Sequence, residues 1–312
     1  MRLIFLGTSA GAPTKSRNVT AIALQWIQLG KIWLFDCGEG TQHQFHRAPI
    51  NISKVDSIFI THMHGDHVFG LPGLMASRSA AQGSLEPLAL YGPEPLNELL
   101  QQTLDLTHTR IKYPWTLQSI KQGIVLEDDQ CTVECRLLNH GIPSYGYSIV
   151  EKAQPGEFLP EAAMGRGVRP GPDFAILKSG EDILLDDGSV VYSSDVVGPP
   201  RRSRKIVICG DTGVTDATVE LARDADVLVH EATFMAEQTE RAVSVGHSTT
   251  VQAAEAARNA GVKQLILTHF SPRYEQQNSE MMSALLAEAQ SVFPNTVLAE
   301  DFLVQTIMPQ SD

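Results

Sequence analysis

The segment from Thr61 to His67 concentrates side chains that bind metals. It reads THMHGDH and places three of the chain's 10 histidines beside an aspartate within seven residues. Imidazole nitrogens and carboxylate oxygens are ligands that proteins use for zinc. The apolar run SIFI precedes the segment, so we expect it to follow a buried strand. On a helix His62 and His64 would point in nearly opposite directions, whereas on extended chain they point to the same side and can share a metal.

A glycine divides this segment into two ligand pairs. Gly65 permits a tight turn, which would carry Asp66 and His67 to a second position away from His62 and His64. A merely polar loop is the alternative interpretation, but four ligand-type side chains in six residues favour metal binding. Two pairs do not complete two sites, so further ligands are expected elsewhere in the chain.

Short apolar runs rich in Ile, Val, Leu and Phe recur along the chain, and each is typical of a buried strand. Helical patterns lie between them, of which one is closed by Gly261 as a C-cap. Strand-rich halves around residues 1–150 and 205–312 predict an α/β fold with two sheets and helices outside. The strand patterns are LIFLGTSAG, AIALQWI, KIWLFDCGEG, SIFITHMHGDH, LALYGP, KIVICGDTG, DVLVHEATF, QLILTHF and NTVLAEDFLVQTI, and the helical ones are PEPLNELLQQTLDL, TTVQAAEAARNAGV and SEMMSALLAEAQSVF.

Ligand-type residues also follow other predicted strands. His140 comes after CTVECRLLN, Asp211 after KIVICG, and His269 after QLILT. Each alone could be a hydrogen-bonded polar residue that closes a strand. The carboxyl ends of strands in open α/β sheets are where ligands gather, so the set as a whole predicts a metal centre.

The order of these motifs resembles the metallo-β-lactamase superfamily. HMHGDH, His140, Asp211 and His269 match its metal motifs in order, and Asp36 in LFDCGEG matches the motif that precedes them. The segments PTKSRN, HEAT, GHST and AEDF, together with RPGP, are similar to motifs of the ribonuclease Z family. This resemblance spans nearly the whole chain.

The resemblance implies an αββα sandwich, with residues 1–312 as one domain and residues 151–204 as an inserted, flexible tRNA-binding arm. It implies two Zn²⁺ per subunit, with Mn²⁺ as an alternative, and a shared water whose pKa zinc lowers from 15.7 to about 7. The implied ligands are His62, His64 and His140 for one ion, Asp66, His67 and His269 for the other, and Asp211 between them.

The resemblance also implies roles in the reaction. Asp66 belongs to the catalytic set, and His247 is the candidate proton donor, oriented by Glu231. His247 could instead be a polar residue beside a helix N-cap, and Glu231 a hydrogen-bonding residue at the edge of the core. Asp36 is expected to accept a hydrogen bond from a ligand histidine and so fix its tautomer.

Substrate contacts are implied in four segments, PTKSRN, RPGP, GHST and AEDF. The resemblance implies that the PTKSRN loop contacts the tRNA 3′ end. A solvated basic loop is the alternative interpretation. Arg169, Gly171 and Pro172 lie in the Gly-Pro region of the arm. The full predicted set is Lys15, Arg17, Asn18, Arg169, Gly171, Pro172, Ser248, Thr249 and Asp301.

The arm differs in composition from both halves of the chain, because it carries many Gly and Pro residues and little periodicity. Inside it, LLDDGSVVY predicts a hairpin with Asp187 and Gly188 at the turn. Its charge is segregated into basic patches such as GRGVRPGP and RRSRK. The second patch either binds phosphate or forms a solvated hinge, and the sequence leaves both interpretations open.

Composition limits the remaining alternatives. The net charge of −12 argues weakly against a nucleic-acid partner, although bound metal would offset part of it. No stretch approaches the roughly 20 apolar residues of a membrane span, and four sparse cysteines suit a reducing cytoplasm. Cys131 and Cys135 could bind zinc, but packing in a core is favoured. His43, His46, His108 and His230 are expected to be structural or on the surface.

The resemblance therefore implies a homodimeric zinc endoribonuclease that removes the 3′ trailer from tRNA precursors near the discriminator base, and the use of cysteine favours the cytoplasm. A hydrolase of small phosphodiesters or (thio)esters on the same metal core is the nearest rival. An RNA-binding scaffold with a silent site is disfavoured by the intact ligand set with Glu231 and His247. A redox di-iron protein on the same fold is also disfavoured, because it would favour a carboxylate in place of one histidine, and no such replacement appears in the ligand set.

Overall fold

The computed structural model describes residues 1–81, 86–153, 156–199, 202–277 and 279–308. The chain divides into two compact units. The first, the core unit, comprises Met1–Asp128, Thr132–Ile149 and Lys205–Ile307. The second, the arm unit, is formed mainly by Val150–Arg204.

The strands are short and apolar, as the sequence patterns predict. In chain order they are β1 (Arg2–Gly7), β2 (Ala21–Trp26), β3 (Lys31–Phe35), β4 (Val55–Phe59), β5 (Leu88–Gly92), β6 (Trp115–Ser119), β7 (Gly123–Glu127), β8 (Cys131–Leu137), β9 (Tyr145–Glu151), β10 (Ile183–Leu184), β11 (Val190–Val191), β12 (Lys205–Cys209), β13 (Val227–Glu231), β14 (Gln264–Thr268), β15 (Thr296–Leu298) and β16 (Val304–Thr306).

The helices lie between and after these strands. They are α1 (Thr41–Arg47), α2 (Gly65–Val68), α3 (Leu71–Ala80), α4 (Pro95–Leu106), α5 (Pro160–Gly165), α6 (Pro172–Lys178), α7 (Asp216–Ala222), α8 (Thr239–Ser244), α9 (Thr250–Ala260), α10 (Pro272–Gln277) and α11 (Ser279–Val292), with 3₁₀ turns at Ile52–Lys54, Ser193–Asp195 and Ala236–Gln238. Gly261 closes α9 with φ of 67°, as expected for a C-cap glycine.

Two sheets carry the core unit. The first has the strand order β16-β1-β2-β3-β4-β5-β6, and β3 to β6 pair in parallel. The second has the order β15-β14-β13-β12-β9-β8-β7, and β12 to β15 pair in parallel. Parallel pairing brings the carboxyl ends of neighbouring strands to one edge of each sheet, where ligand-type residues follow β4, β12 and β14.

Aromatic side chains join the two sheets. The Tyr147 ring on β9 packs edge-on against Phe35 and Phe59, with ring centroids 5.8 and 5.4 Å apart, and its hydroxyl donates to the Ile60 carbonyl at 2.6 Å. The outer faces are covered by helices, since α3 and α4 pack in the cluster of the first sheet and α9 and α11 in that of the second. The predicted α/β architecture of two sheets with helices outside is confirmed.

The run NTVLAEDFLVQTI is not one strand. It forms β15 in the second sheet and β16 in the first, and AEDF turns the chain between them. Phe302 in this turn has φ of 72°, a left-handed conformation that costs a non-glycine residue about 1–2 kcal/mol. An apolar run shows burial but not the point where a chain leaves one sheet for another.

The arm unit has its own small core. It is formed by the buried side chains of Ala163, Val168, Leu177, Ile183, Val191 and Val196. The predicted hairpin is confirmed, because β10 pairs antiparallel with β11 and Gly188 has φ of 83° in the turn. The interpretation of this segment as a flexible tRNA-binding arm within one domain stays a prediction.

Within the RRSRK patch, Arg204 is neither exposed for phosphate binding nor part of a solvated hinge. Arg204 is 3% exposed and makes a bidentate pair with Glu151, at 2.7 Å from Nε to Oε2 and 2.6 Å from Nη2 to Oε1. Lys205 donates from Nζ to the Arg223 carbonyl at 2.8 Å. Arg201 lies outside the described residues.

Within the described ranges, no helix is long and apolar enough to cross a membrane.

Candidate active site

A first group of side chains gathers where β4 and β12 end. His62, His64, His140 and Asp211 each offer a ligand atom, and these atoms all lie within 4.8 Å of one another. Nε2 of His62 lies 3.1 Å from Nδ1 of His64, which lies 3.3 Å from Nε2 of His140. Three imidazole nitrogens that face one point are the usual arrangement around a cation.

The outer nitrogens of two of these histidines have partners. Nδ1 of His140 lies 2.7 Å from the Gly246 carbonyl, and Nδ1 of His62 lies 2.9 Å from Oγ1 of Thr61. A carbonyl can only accept, so Nδ1 of His140 is the donor in this contact and Nε2 is the atom that faces the group. Burial, reinforced by the charge of His67, lowers the pKa of His62 to about 2, which keeps that ring neutral and able to act as a ligand.

A second group lies beside the first and consists of Asp66, His67 and His269. Oδ2 of Asp66 lies 3.4 Å from Nε2 of His67 and 3.3 Å from Nε2 of His269. Gly65 does not make the tight turn expected from the sequence. It begins the one-turn helix α2, which carries Asp66 and His67.

Residues outside the group fix these histidines. Nδ1 of His67 lies 2.8 Å from Oδ2 of Asp36, the contact expected of that aspartate. Nδ1 of His269 lies 3.0 Å from Oγ1 of Thr233, a residue of the HEAT motif for which the sequence predicted no role. Asp36 and His269 both have φ of 58°, so the fold holds each in a conformation that costs about 1–3 kcal/mol.

Asp211 lies between the two groups. Its Oδ1 is 3.5 Å from Nε2 of His67, while its Oδ2 is 3.6 Å from Nε2 of His62 and 3.3 Å from Nε2 of His269. Burial opposes the charge of this carboxylate, but the surrounding histidines outweigh it and hold its pKa well below the usual range.

One buried atom tests whether the site suits a metal. Nε2 of His67 belongs to a side chain that is 1% exposed, and among the described residues it has no hydrogen-bond partner. It faces carboxylate oxygens of Asp66 and Asp211 instead. A buried polar atom without a partner is costly unless an ion or water completes it, so this donor set fits cations.

His247 and Glu231 form a pair next to Asp211. Nδ1 of His247 lies 2.7 Å from Oε1 of Glu231 and 3.9 Å from Oδ2 of Asp211. Burial disfavours the charged imidazole, but the hydrogen bond and negative charge of Glu231 outweigh it and raise the pKa of His247 to about 9. A ring nitrogen of His247 also lies within 4.8 Å of ligand-type atoms of Asp211 and His269, a third grouping that the sequence did not predict.

Glu231 is itself held by three donors. The carboxylate is buried at the end of β13 and accepts from the amides of Thr212 at 3.0 Å and Thr233 at 3.1 Å, and from the Thr233 hydroxyl at 2.6 Å. These bonds fix the direction in which Oε1 faces His247.

In the GHST segment, the helix cap and His247 are different residues with different contacts. Thr249 caps α9 in a capping box with Gln252, and Ser248 donates to the Thr212 carbonyl at 2.6 Å. Both hydroxyl residues are buried, so their predicted contact with substrate stays a prediction. His247 has no part in the cap.

The PTKSRN loop and the AEDF turn hold each other. Arg17 donates from Nη1 to Thr8 Oγ1 and to the Ala299 carbonyl, both at 2.7 Å. The backbone amide of Asn18 donates to Oδ2 of Asp301 at 2.7 Å. Substrate contact by these three predicted residues stays a prediction, and Lys15 on the same loop is exposed.

The other predicted residues are not members of either ligand group. Arg169, Gly171 and Pro172 are exposed in the arm unit, where Pro172 begins α6. His230 is buried, with Nδ1 2.7 Å from the Glu231 carbonyl. Exposed positions are occupied by His43, His46 and His108, and Cys131 and Cys135 are buried in β8.

Family models match two stretches of the chain. Residues 1–149 match the model described as anti-Pycsar protein Apyc1, and residues 187–270 match the beta-lactamase superfamily domain. Among solved structures, the short form of human tRNase Z superposes with a TM-score of 0.70 at 32% identity, covering 99% of this chain and 100% of that one. The chain thus has the metallo-β-lactamase fold.

Curated relatives match over nearly the whole chain. A protein named ribonuclease Z from Brevibacillus brevis is 49% identical over 302 residues, which cover 96% of this chain and 95% of the relative. A ribonuclease Z from Synechococcus sp. is 48% identical and covers 100% of this chain and 98% of its own length. Because this identity extends over nearly the full length of each pair, the chain belongs to the ribonuclease Z family.

Proposed function

We propose that this chain is a metal-dependent endoribonuclease that removes the 3′ trailer from tRNA precursors near the discriminator base. One observation carries the chemistry: the Asp211 carboxylate joins two groups of ligand-type side chains, and the His247–Glu231 pair lies beside it. Similarity to proteins named ribonuclease Z supports the substrate class. The expected products are a tRNA with a 3′-hydroxyl and a trailer with a 5′-phosphate.

The proposed cofactors are two Zn²⁺ ions, with Mn²⁺ as the alternative. His62, His64 and His140 would hold one ion, Asp66, His67 and His269 the other, and Asp211 would contact both. The converging nitrogens and the unpartnered Nε2 of His67 support this assignment. When bound, such a pair of ions supplies an acidic water and positive charge for phosphodiester hydrolysis.

The proton for the leaving group comes from His247. Because its Nδ1 is engaged by Glu231, its Nε2 is the atom left to donate a proton to the departing 3′-oxygen of the tRNA. Glu231 sets the orientation of the ring and favours its protonated form. Asp36 acts indirectly, because it orients His67 and does not contact the substrate.

The arm unit is proposed to grip the tRNA. Three residues of this unit are exposed and do not belong to its apolar core: Arg169, Gly171 and Pro172. An arginine at such a position can pair with backbone phosphates. In the proposed homodimer, the arm of one subunit holds the tRNA for the active site of its partner.

Mixing two inactive variants tests this arrangement. An Asp66→Ala chain keeps its arm, and an Arg169→Glu/Pro172→Ala chain keeps its active site. If arms act across the dimer, mixed dimers regain cleavage, because an intact arm faces an intact site. If each arm serves its own subunit, mixing restores nothing.

A hydrolase of small phosphodiesters is the alternative, and substrate preference separates the two. We expect kcat/KM for a 3′-extended tRNA to exceed that for bis(p-nitrophenyl) phosphate by several orders of magnitude. We expect Arg169→Glu to lower only the first value. A preference for the small diester would overturn the proposal.

We propose that the enzyme acts in the cytoplasm. All four cysteines are buried and none of them forms a disulfide, which suits a reducing compartment.

A further inference from the structure

Phe69 is a large apolar side chain that stays exposed beside the two ligand groups. It is 67% exposed and directly follows α2, the helix that carries Asp66 and His67. A single exposed apolar residue is ordinary on a protein surface. The position of this ring and the cavity in front of it are the features that need an explanation.

The ring lies over Gly65. A Cβ atom built on Gly65 would be 2.2 Å from Cε2 and 2.7 Å from Cζ of Phe69, so the ring occupies the space that any larger residue at 65 would fill. Glycine therefore permits the Phe69 ring to lie against the segment that joins His64 to Asp66.

A cavity of about 390 Å³ opens in front of this ring. Pro13 and Phe69 give it apolar surfaces, Glu39 adds a carboxylate, and His64 and Asp66 connect it to the two ligand groups. No lysine or arginine is present among the described residues that line it. A negatively charged phosphate is disfavoured in such a cavity, whereas a flat and uncharged base fits its surfaces.

We propose that Phe69 is the stacking surface for the base of the first trailer nucleotide. The proposal rests on the proposed function, in which His247 protonates the 3′-oxygen on the tRNA side of the cut. The cavity is bounded by His64 and Asp66 and not by His247, so it lies on the side left for the trailer. The first trailer nucleotide carries the reacting phosphate, which places its base next to the ligand groups.

Stacking predicts a specific loss when the ring is removed. Base–aromatic stacking has a typical strength that corresponds to about 5- to 150-fold in kcat/KM. Phe69→Ala should show this loss on a 3′-extended precursor, mainly through KM, and Phe69→Trp should restore it. Leu106→Ala is the matched control, because Leu106 is 81% exposed and lies outside the cavity.

A precursor that lacks the first trailer base separates stacking from other effects. On this abasic substrate, Phe69→Ala should change kcat/KM less than twofold, whereas a precursor that is abasic at the fourth trailer position should behave as the intact one. Equal losses on the intact and first-position abasic substrates would overturn the proposal. So would full activity of Phe69→Ala on the intact precursor.

A binding measurement gives a readout without turnover. 2-Aminopurine at the first trailer position should lose fluorescence when it binds the zinc-loaded His247→Ala protein, since stacking quenches it. Adding Phe69→Ala should abolish the quenching, and quenching that persists would contradict the stacking. If instead the wild type fails to cut any precursor, the proposed function fails, and that failure is seen before Phe69 is changed.

Discussion

Nδ1 of His247 lies 2.7 Å from a carboxylate oxygen of Glu231, and that carboxylate is buried among three donors from Thr212 and Thr233. A buried anion at this distance favours the protonated imidazole strongly enough to raise the pKa of His247 to about 9. An imidazole held in its charged form beside Asp211 is suited to give up a proton to a leaving oxygen.

Replacing His247 with Ala removes this proton donor. We expect kcat on a 3′-extended tRNA to fall by about 10²- to 10⁴-fold, the usual contribution of a positioned acid, with little change in precursor affinity. Single-turnover kinetics and a filter-binding assay measure the two quantities. His108→Ala serves as the control, since His108 is exposed and outside the site. Unchanged kcat would remove His247 from the mechanism.

Replacing Glu231 with Gln removes the negative charge that raises the pKa of His247. The variant histidine then loses its proton at a lower pH, so the basic limb of the kcat profile should move to lower pH than in the wild type. Profiles measured between pH 6 and about 10 test this direction. The thermal unfolding midpoint must be followed in parallel, because the Gln amide also meets the donors from Thr212 and Thr233. A limb that stays in place would mean that another group sets it.

Asp66→Ala separates metal chemistry from tRNA binding. The change removes a carboxylate that contacts His67 and His269, so zinc content per subunit should fall and cleavage should be lost. Precursor affinity should stay largely intact, since the arm unit is unchanged. Metal analysis measures the zinc content, and a binding assay on the same preparation measures the affinity for the precursor. Loss of binding in step with cleavage would contradict the division of roles between the two units.

Arg204→Ala leaves a buried carboxylate without its partner. Breaking a buried pair from one side typically costs about 3–5 kcal/mol, so we expect the arm unit to lose stability by an amount in that range. Limited proteolysis within 151–204 and chemical denaturation measure it, with Arg169→Ala as an exposed control. Removing Glu151 together with Arg204 should cost less than the single change. Wild-type resistance in Arg204→Ala would show that the pair contributes little.

The sequence predicted the strands and the ligand side chains because both carry local signals. Apolar runs of strand length mark β4, β12 and β14, and ligand-type residues at their ends mark the site. The alternation of strands and helices likewise predicted the two sheets. These patterns depend on neighbouring residues only.

Contacts between distant parts of the chain carried no such signal. The Arg17 side chain bonds the Ala299 carbonyl 282 residues away, and Thr233 bonds His269 from another strand end. Arg204 stands in a basic stretch of the sequence, and its partner Glu151 lies 53 residues earlier, where no local pattern indicates the pair. The crossing of NTVLAEDFLVQTI from one sheet to the other has the same origin, because only tertiary pairing decides which sheet each half joins.

We propose that the two groups joined by Asp211 would hold a pair of metal ions, and that the protein cuts tRNA precursors at the 3′ end when these ions are bound. The most direct measurement incubates the purified protein with a 3′-extended tRNA before chelation, after chelation and after zinc is restored, and maps the ends of the products. The account predicts one cut near the discriminator base, with a 3′-hydroxyl on the tRNA and a 5′-phosphate on the trailer, lost on chelation and recovered with zinc. Uncut precursor in the presence of zinc, or equal cutting after chelation, would contradict it.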